Sequence, residues 1–164
     1  MKKAAIFLVY VLVLISLVSC TDTNYDAKLE EAKITYDKGD PFLAIRMLDQ
    51  AIDMNSLDYH AYAMRGYFYW QVRKYDRAAA DYRKAIERGA KSCNYDMGKL
   101  LVDIGRPLDA IGYLYDYIEY DDKNPEVYLL LSNIYEHAGD GKSAEDVRKK
   151  GYKATGDKRL AKPV

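Results

Sequence analysis

Apolar and polar residues follow one another along this chain with the spacing of helices, and short turn motifs interrupt them at regular distances. In "AKITYDKGDPFLAIRMLDQAIDM" the apolar side chains recur three or four positions apart, which is typical of a helix with one buried face. The motifs "GDP" and "GRP" place a glycine just before a proline. Glycine often ends a helix and proline fits the first turn of the next, so the pattern predicts paired helices.

A period of about 34 residues links these helix pairs. Four stretches align, beginning at "AKITYDKGD", "GYFYWQVRK", "GKLLVDIGR" and "SNIYEHAGD", with spacings of 34, 32 and 34 residues. Three alignment columns hold Ala, Gly or Ser at eleven of twelve positions, so the repeat is unlike a chance pattern. The columns are Ala32, Gly66, Gly98 and Ser132; Ala44, Ala78, Ala110 and Ala144; and Ala51, Ala85, Tyr117 and Gly151.

Large side chains occupy other columns of the same alignment, where they are expected to form the core. The columns are Tyr69, Leu101 and Tyr135; Leu48, Tyr82 and Leu114; and Ile52, Ile86, Ile118 and Tyr152.

The turn chemistry agrees with this alignment. Glycine recurs at the turn within a pair, at Gly39, Gly105 and Gly139, whereas the second unit has Arg73 there. Asp40 and Asn124 precede prolines and are predicted N-caps, with Pro41, Pro107 and Pro125 in first helical turns.

The pattern resembles the tetratricopeptide repeat, a helix-turn-helix unit of 34 residues whose small-residue columns let its two helices cross closely. This resemblance implies an all-α, right-handed solenoid of about four repeats over residues 25–152. The units are expected at 25–58, 59–90, 91–124 and 125–152.

Polar residues replace apolar ones in the two end units, as expected of repeats with one neighbour. Lys28 and Glu31 mark the first outer face, and Glu145 and Arg148 mark the last. The basic tail, residues 153–164, is expected to be frayed.

The N-terminal segment is predicted to be a cleaved signal peptide, residues 1–19. Lys2 and Lys3 precede 15 mostly apolar residues, which is shorter than the roughly 20 that span a bilayer. The following "LVSC" resembles the lipobox of bacterial lipoproteins, and this implies diacylglyceryl attachment and cleavage at Cys20. Residues 20–24 would then form a short tether. The alternative is that Cys20 merely happens to end the apolar run.

Such a lipoprotein would lie in the bacterial cell envelope, anchored without spanning the membrane. Thr21 after the cysteine resembles the outer-membrane sorting class, so the outer membrane is expected, facing the periplasm or the cell surface. Without the leader the chain has 23 basic and 25 acidic side chains, which argues against nucleic-acid binding. With Cys20 acylated, only Cys93 remains, so no intramolecular disulfide is expected.

No pattern of catalytic or metal-binding residues is present in the sequence. The two histidines, His60 and His137, lie in different units, and the H-E-x-x-H, C-x-x-C and glycine-rich phosphate motifs are missing. We therefore expect neither enzymatic activity nor a cofactor, a metal or a small-molecule substrate.

The family resemblance implies a binding groove on the concave face, lined by the first helix of each unit. Its aromatic faces and Lys or Asn donors would suit a protein or peptide partner. Packing is the competing interpretation for its aromatics, because the chain has 17 tyrosines and the family also packs tyrosine in its core. The candidates are Lys33, Tyr36, Tyr67, Trp70, Gln71, Tyr95, Lys99, Asp103, Asn133 and His137.

Three functions remain open from the sequence, of which the third, an enzyme, has no catalytic residue pattern to support it. The first is a membrane-tethered interaction module that binds a polypeptide in the groove. The second is a fixed structural subunit of an envelope complex, in outer-membrane assembly, secretion, pilus formation or motility, which would also use the convex face or the basic tail. The Lys-and-Asn clamp with which some family members bind chaperone carboxylates is not reproduced, because Leu29 and Ala63 replace its polar residues.

Overall fold

The computed structural model describes residues 24–161, and all regular structure within that range is helical. The predicted leader, Cys20 and most of the tether lie outside the described residues. Helix α1 covers 24–37. The later elements are α2 (Pro41–Met54), α3 (His60–Gln71), α4 (Tyr75–Glu87), α5 (Cys93–Asp103), α6 (Pro107–Tyr120), α7 (Pro125–His137), α8 (Gly141–Thr155) and a 3-10 helix (Lys158–Ala161).

The helices form four antiparallel pairs that stack in chain order. In the second, third and fourth pairs the two helices of a pair make the most extensive contacts, and successive pairs meet through α2 with α3, α4 with α5, and α6 with α7. Because the turns between helices are short, each helix packs mainly against its neighbours along the chain. The predicted all-α solenoid is confirmed.

Left-handed backbone closes the turn within each pair. Gly39, Gly105 and Gly139 have φ of 92°, 76° and 79°, as the glycine pattern predicted. Arg73 takes the same place in the second pair with φ 59°. A side chain there crowds the following carbonyl, at a cost of about 1–2 kcal/mol that glycine avoids.

Side-chain caps start the helices where the sequence indicated them. Asp40 Oδ1 accepts a hydrogen bond from the Leu43 N–H (2.9 Å), and Asn124 Oδ1 accepts one from the Glu126 N–H (3.0 Å). Prolines occupy the first turns of α2, α6 and α7. Each cap satisfies a backbone donor that the helix itself leaves unpaired.

The small-residue columns lie where helices cross. All twelve column residues are buried, and a Cβ at Gly98 would lie 2.5 Å from Leu114 Cδ2. Leu48, Tyr82 and Leu114 fill the core beside them. The alignment columns therefore correspond to real helix crossings.

Tyr152 departs from its predicted buried column. Ile52 and Ile118 are buried and Ile86 is half-buried, but Tyr152 is 47% exposed. The helices that carry the first three residues each pack against the first helix of the next unit, whereas only a 3-10 turn follows α8.

Two predictions for the C-terminal end are wrong. Arg148 does not belong to an outer face, because it is mostly buried and pairs with Glu136 of α7. Residues 153–161 are not frayed: α8 continues to Thr155, Gly156 ends it with φ 73°, and Leu160 is 2% exposed. The chain thus caps its own solenoid with Leu160, which packs near Gly151 and Tyr128.

Candidate interaction groove

The first helices of the units lie side by side, and we name the surface they share the first-helix face. Helix α3 contacts α5 directly. Trp70 of α3 donates a hydrogen bond from Nε1 to Asp103 Oδ2 of α5, at 3.0 Å. This face carries the residues that the sequence assigned to a groove.

A cationic and aromatic cluster occupies the centre of this face. Lys99 Nζ lies 5.0 Å from the ring centroid of Trp70 and 5.2 Å from that of Tyr95. A cation at that distance is attracted by the negative ring face. Trp70, Tyr95, Lys99 and Asp103, which we name the Trp70 cluster, therefore form one continuous patch across two units.

A second aromatic group lies between the first two units. The Tyr36 ring stacks on Phe68 with centroids 4.0 Å apart, and Tyr67 lies 6.1 Å from Tyr36. Tyr67 is exposed while Phe68 is buried. Tyr36 therefore contacts both the exposed ring of Tyr67 and the buried ring of Phe68.

The remaining predicted groove residues are more isolated. Lys33 and Gln71 are exposed on α1 and α3. On α7, the Nδ1 of His137 lies 2.7 Å from the backbone oxygen of Asn133, and both residues are exposed. The structure therefore brings six of the ten candidates into two groups, and places these four around them.

Two further residues lie near the Trp70 cluster: Asp96, which the sequence did not single out, and Tyr82, which was predicted as a core residue. Burial raises the pKa of the Asp96 carboxyl, although Lys99, with Nζ 3.9 Å from Asp96 Oδ1, opposes the shift. Tyr82 meets the Trp70 ring edge-on, and its buried hydroxyl has no hydrogen-bond partner among the described residues. The sequence does indicate the Asp96–Lys99 pair, because residues three positions apart lie on the same face of a helix.

A partly buried ion-pair network links α2, α3 and α4, and the sequence did not predict it. Arg65 donates two hydrogen bonds to the Asp81 carboxylate, both 2.7 Å, and one of 2.6 Å to Asp49. Burial alone would lower the pKa of Arg65, but the two carboxylates outweigh it and raise that pKa. Arg65 stands at the repeat position that Met97 and Leu131 occupy elsewhere, which was a visible anomaly.

Three of the basic residues near the C-terminus, Arg148, Lys149 and Arg159, form ion pairs within the chain. Lys149 Nζ lies 2.7 Å from Glu145 Oε1, and Arg159 bridges Glu126 and Asp157 at 2.6 Å each. Pairing in this way reduces the charge available to an external partner.

Burial makes Cys93 a poor nucleophile. The thiol is unpaired, and burial raises its pKa to about 11, so the reactive thiolate is scarce at neutral pH. Across 24–161 no cluster of three or more His, Cys, Asp or Glu side chains is arranged to hold a metal ion. Within the same residues, every helix is too short or too polar to cross a bilayer.

A family model described as "Tetratricopeptide repeat" matches residues 29–92 and 95–157. The chain belongs to the tetratricopeptide repeat family. Each matched segment covers two successive repeat units, and together the segments agree with the four helix pairs described above. No curated protein shows significant sequence similarity to this chain.

Solved tetratricopeptide repeat structures share this fold. The crystal structure of MamA aligns with a TM-score of 0.75 at 19% identity, covering 90% of this chain and 86% of that chain. A Parabacteroides merdae tetratricopeptide repeat protein gives 0.76 at 18%, covering 85% and 56%. YrrB, described as having an unusual peptide-binding site, gives 0.67 at 20%, covering 77% and 66%. At these identities the likeness establishes the fold alone.

Proposed function

We propose that this protein is a bacterial envelope lipoprotein, anchored through Cys20, whose tetratricopeptide repeats bind a protein or peptide segment on the first-helix face without catalysis. The observation that carries the binding proposal is the Trp70 cluster, in which aromatic rings, a cation and a carboxylate meet across two units. The peptide-binding site described for YrrB is consistent with it.

The chemistry of this cluster suits an extended polypeptide. The rings of Trp70 and Tyr95 offer flat apolar surface for a side chain, and Lys99 can donate to a backbone carbonyl or a carboxylate. Asp103 already accepts from the Trp70 indole and fixes its orientation, so less side-chain entropy is lost on binding.

Trp70→Ala is expected to weaken partner binding by about 2 kcal/mol or more, as loss of an aromatic anchor often does. The partner would be captured by crosslinking in the native membrane and purified, and its affinity measured by calorimetry. Phe42→Ala, which removes an exposed ring on α2 away from this face, is the matched control and should leave affinity unchanged. An unaltered affinity in a fully folded Trp70→Ala protein would place the site elsewhere.

Cys20→Ser is expected to abolish lipid attachment and yield an unprocessed or soluble product. The reason is chemical, since acyl transfer requires the cysteine sulfur and two acyl chains are enough for stable anchoring. Mass spectrometry and detergent partitioning of the native and variant proteins check this. Cys93→Ser is the control, and an unmodified Cys20 or an intact Met1 in the native protein would refute the proposal.

The second candidate is a fixed structural subunit of an envelope complex. Phe42 and Leu108 occupy equivalent positions of the first and third units and are 64% and 62% exposed, away from the first-helix face. These two side chains are available for contacts with a partner outside the groove. Co-purification of one stoichiometric partner that survives Trp70→Ala would support this candidate over the first.

A further inference from the structure

One edge of the solenoid carries exposed apolar side chains next to the start of the described chain. Because the helices alternate in direction, this edge, which we name the tether edge, contains the N-terminal ends of the first helices and the C-terminal ends of the second helices. Met54 closes α2 and Leu57 lies in the next turn, with exposed fractions of 43% and 81%. Tyr120 and Tyr152, near the ends of α6 and α8, are exposed on the same edge.

The turn that carries Leu57 is braced by hydrogen bonds. Asn55 Oδ1 accepts from the backbone N–H of Leu57 (3.2 Å) and of Asp58 (3.3 Å). Arg88 Nε, at the end of α4, donates to the Ser56 carbonyl at 2.8 Å. Because both sides of the turn are held, Leu57 points outward as a property of the fold.

The start of α1 is fixed beside this turn. Tyr25 is buried, and its hydroxyl accepts a hydrogen bond from the Ala61 N–H at the beginning of α3 (3.3 Å). Position 20 precedes position 24 by four residues. A fully extended chain of that length spans about 14 Å, so an acylated Cys20 would keep the start of α1 within about that distance of the bilayer, with the turn beside it.

We infer that the tether edge rests on the membrane, with Leu57 and Met54 entering the lipid headgroup region. This inference depends on the proposed acylation of Cys20. A single exposed leucine is common on soluble proteins, but here the apolar pair lies where the anchor would hold it against lipid. Tyr120 and Tyr152, farther along the edge, suit the same interface, because the ring is apolar while its hydroxyl can face water.

The attraction is apolar in character, since the charges around the turn are balanced. Asp53 and Asp58 flank Leu57 in sequence, while Arg88 and Lys91 lie in the neighbouring turn of the same edge. A polybasic patch would favour anionic lipid, but the four charged residues beside Leu57 are two acidic and two basic. We therefore expect this contact even on vesicles that contain only zwitterionic phosphatidylcholine and no anionic lipid.

The test uses the acylated protein, purified from cell membranes and reconstituted into phosphatidylcholine vesicles. Leu57→Cys and Phe42→Cys are each labelled with the same polarity-sensitive fluorophore. Labelling is selective because acylation blocks the Cys20 sulfur and Cys93 is buried. Phe42 is the matched control, since it is also an exposed apolar residue of the first unit but lies at the opposite edge.

The label at position 57 is expected to be about fivefold less accessible to aqueous iodide than the label at position 42, as for a side chain buried in the headgroup boundary. Brominated lipids should quench only the label at position 57. Equal iodide quenching at both positions, in protein whose Cys20 is shown by mass spectrometry to be acylated, would overturn this inference alone. An unacylated Cys20 would overturn the proposed anchoring together with it.

Discussion

Asp81→Ala is expected to lower the free energy of unfolding by about 3 kcal/mol, because it leaves the Arg65 guanidinium buried without its bidentate partner. The Asp81 side chain is 5% exposed and that of Arg65 is 16% exposed, so water has little access to take the place of the lost carboxylate. We take the lower end of the usual range because Asp49 still accepts one hydrogen bond from Arg65. Urea denaturation followed by circular dichroism measures the change.

Asp49→Ala is the matched control within the same network. Its carboxylate is 48% exposed and receives one hydrogen bond from Arg65, so less than about 1 kcal/mol should be lost. Replacing Arg65 by Met, Asp81 by Leu and Asp49 by Leu together should recover much of the stability, since apolar residues can replace a buried ion pair. Equal losses for the two alanine variants would show that burial of Asp81 does not govern the energy.

Gly151→Ala is expected to destabilise the protein by about 1–3 kcal/mol through overpacking between α7 and α8. A Cβ at this position would lie 2.5 Å from Cγ and 2.6 Å from Cβ of Tyr128, and 3.0 Å from Leu160 Cδ1. Tyr128 is fully buried, and its Cβ cannot move without the backbone. This clash exceeds the roughly 1 kcal/mol that alanine normally gains over glycine inside a helix.

Gly112→Ala offers the same substitution in an open place. Gly112 lies on the exposed side of α6, and a Cβ there would have no neighbour within 4 Å. We expect a gain of about 0.5–1 kcal/mol from the reduced entropy of the unfolded chain and the better helix propensity. Thermal denaturation of both variants compares the signs directly. A stabilising effect at position 151 would contradict the close α7–α8 crossing.

The helix pairs could be predicted because their signals are local and repeated. A glycine at a left-handed turn and an alanine at a crossing each reflect one steric requirement, and four copies of the unit make the pattern visible. Tyr117 shows the limit of this reasoning, since a large residue stands in a small-residue column and is still buried. The alignment columns indicate which positions face the core, but they do not indicate how large a side chain fits at each position.

Long-range pairing could not be predicted in the same way. Asp49 and Asp81 each lie 16 residues from Arg65, beyond the three- and four-residue spacings that link side chains on one helix. The C-terminal cap was missed because Leu160 is a single apolar residue among charged ones, and its burial depends on the left-handed turn at Gly156. On the first-helix face, the sequence indicated which residues share a surface, but the Trp70–Asp103 hydrogen bond depends on side-chain orientation.

The predominance of contacts between neighbouring helices also influences how the chain reaches its structure. From α2 onward each helix packs chiefly against the helix just before and just after it in the sequence. Forming such a contact closes only a short loop, so little chain entropy is lost at each step and folding is expected to be fast. Structure can begin at any unit and spread to the next. A nascent chain can therefore settle one helix pair at a time, since each new helix finds its partner in the segment that precedes it.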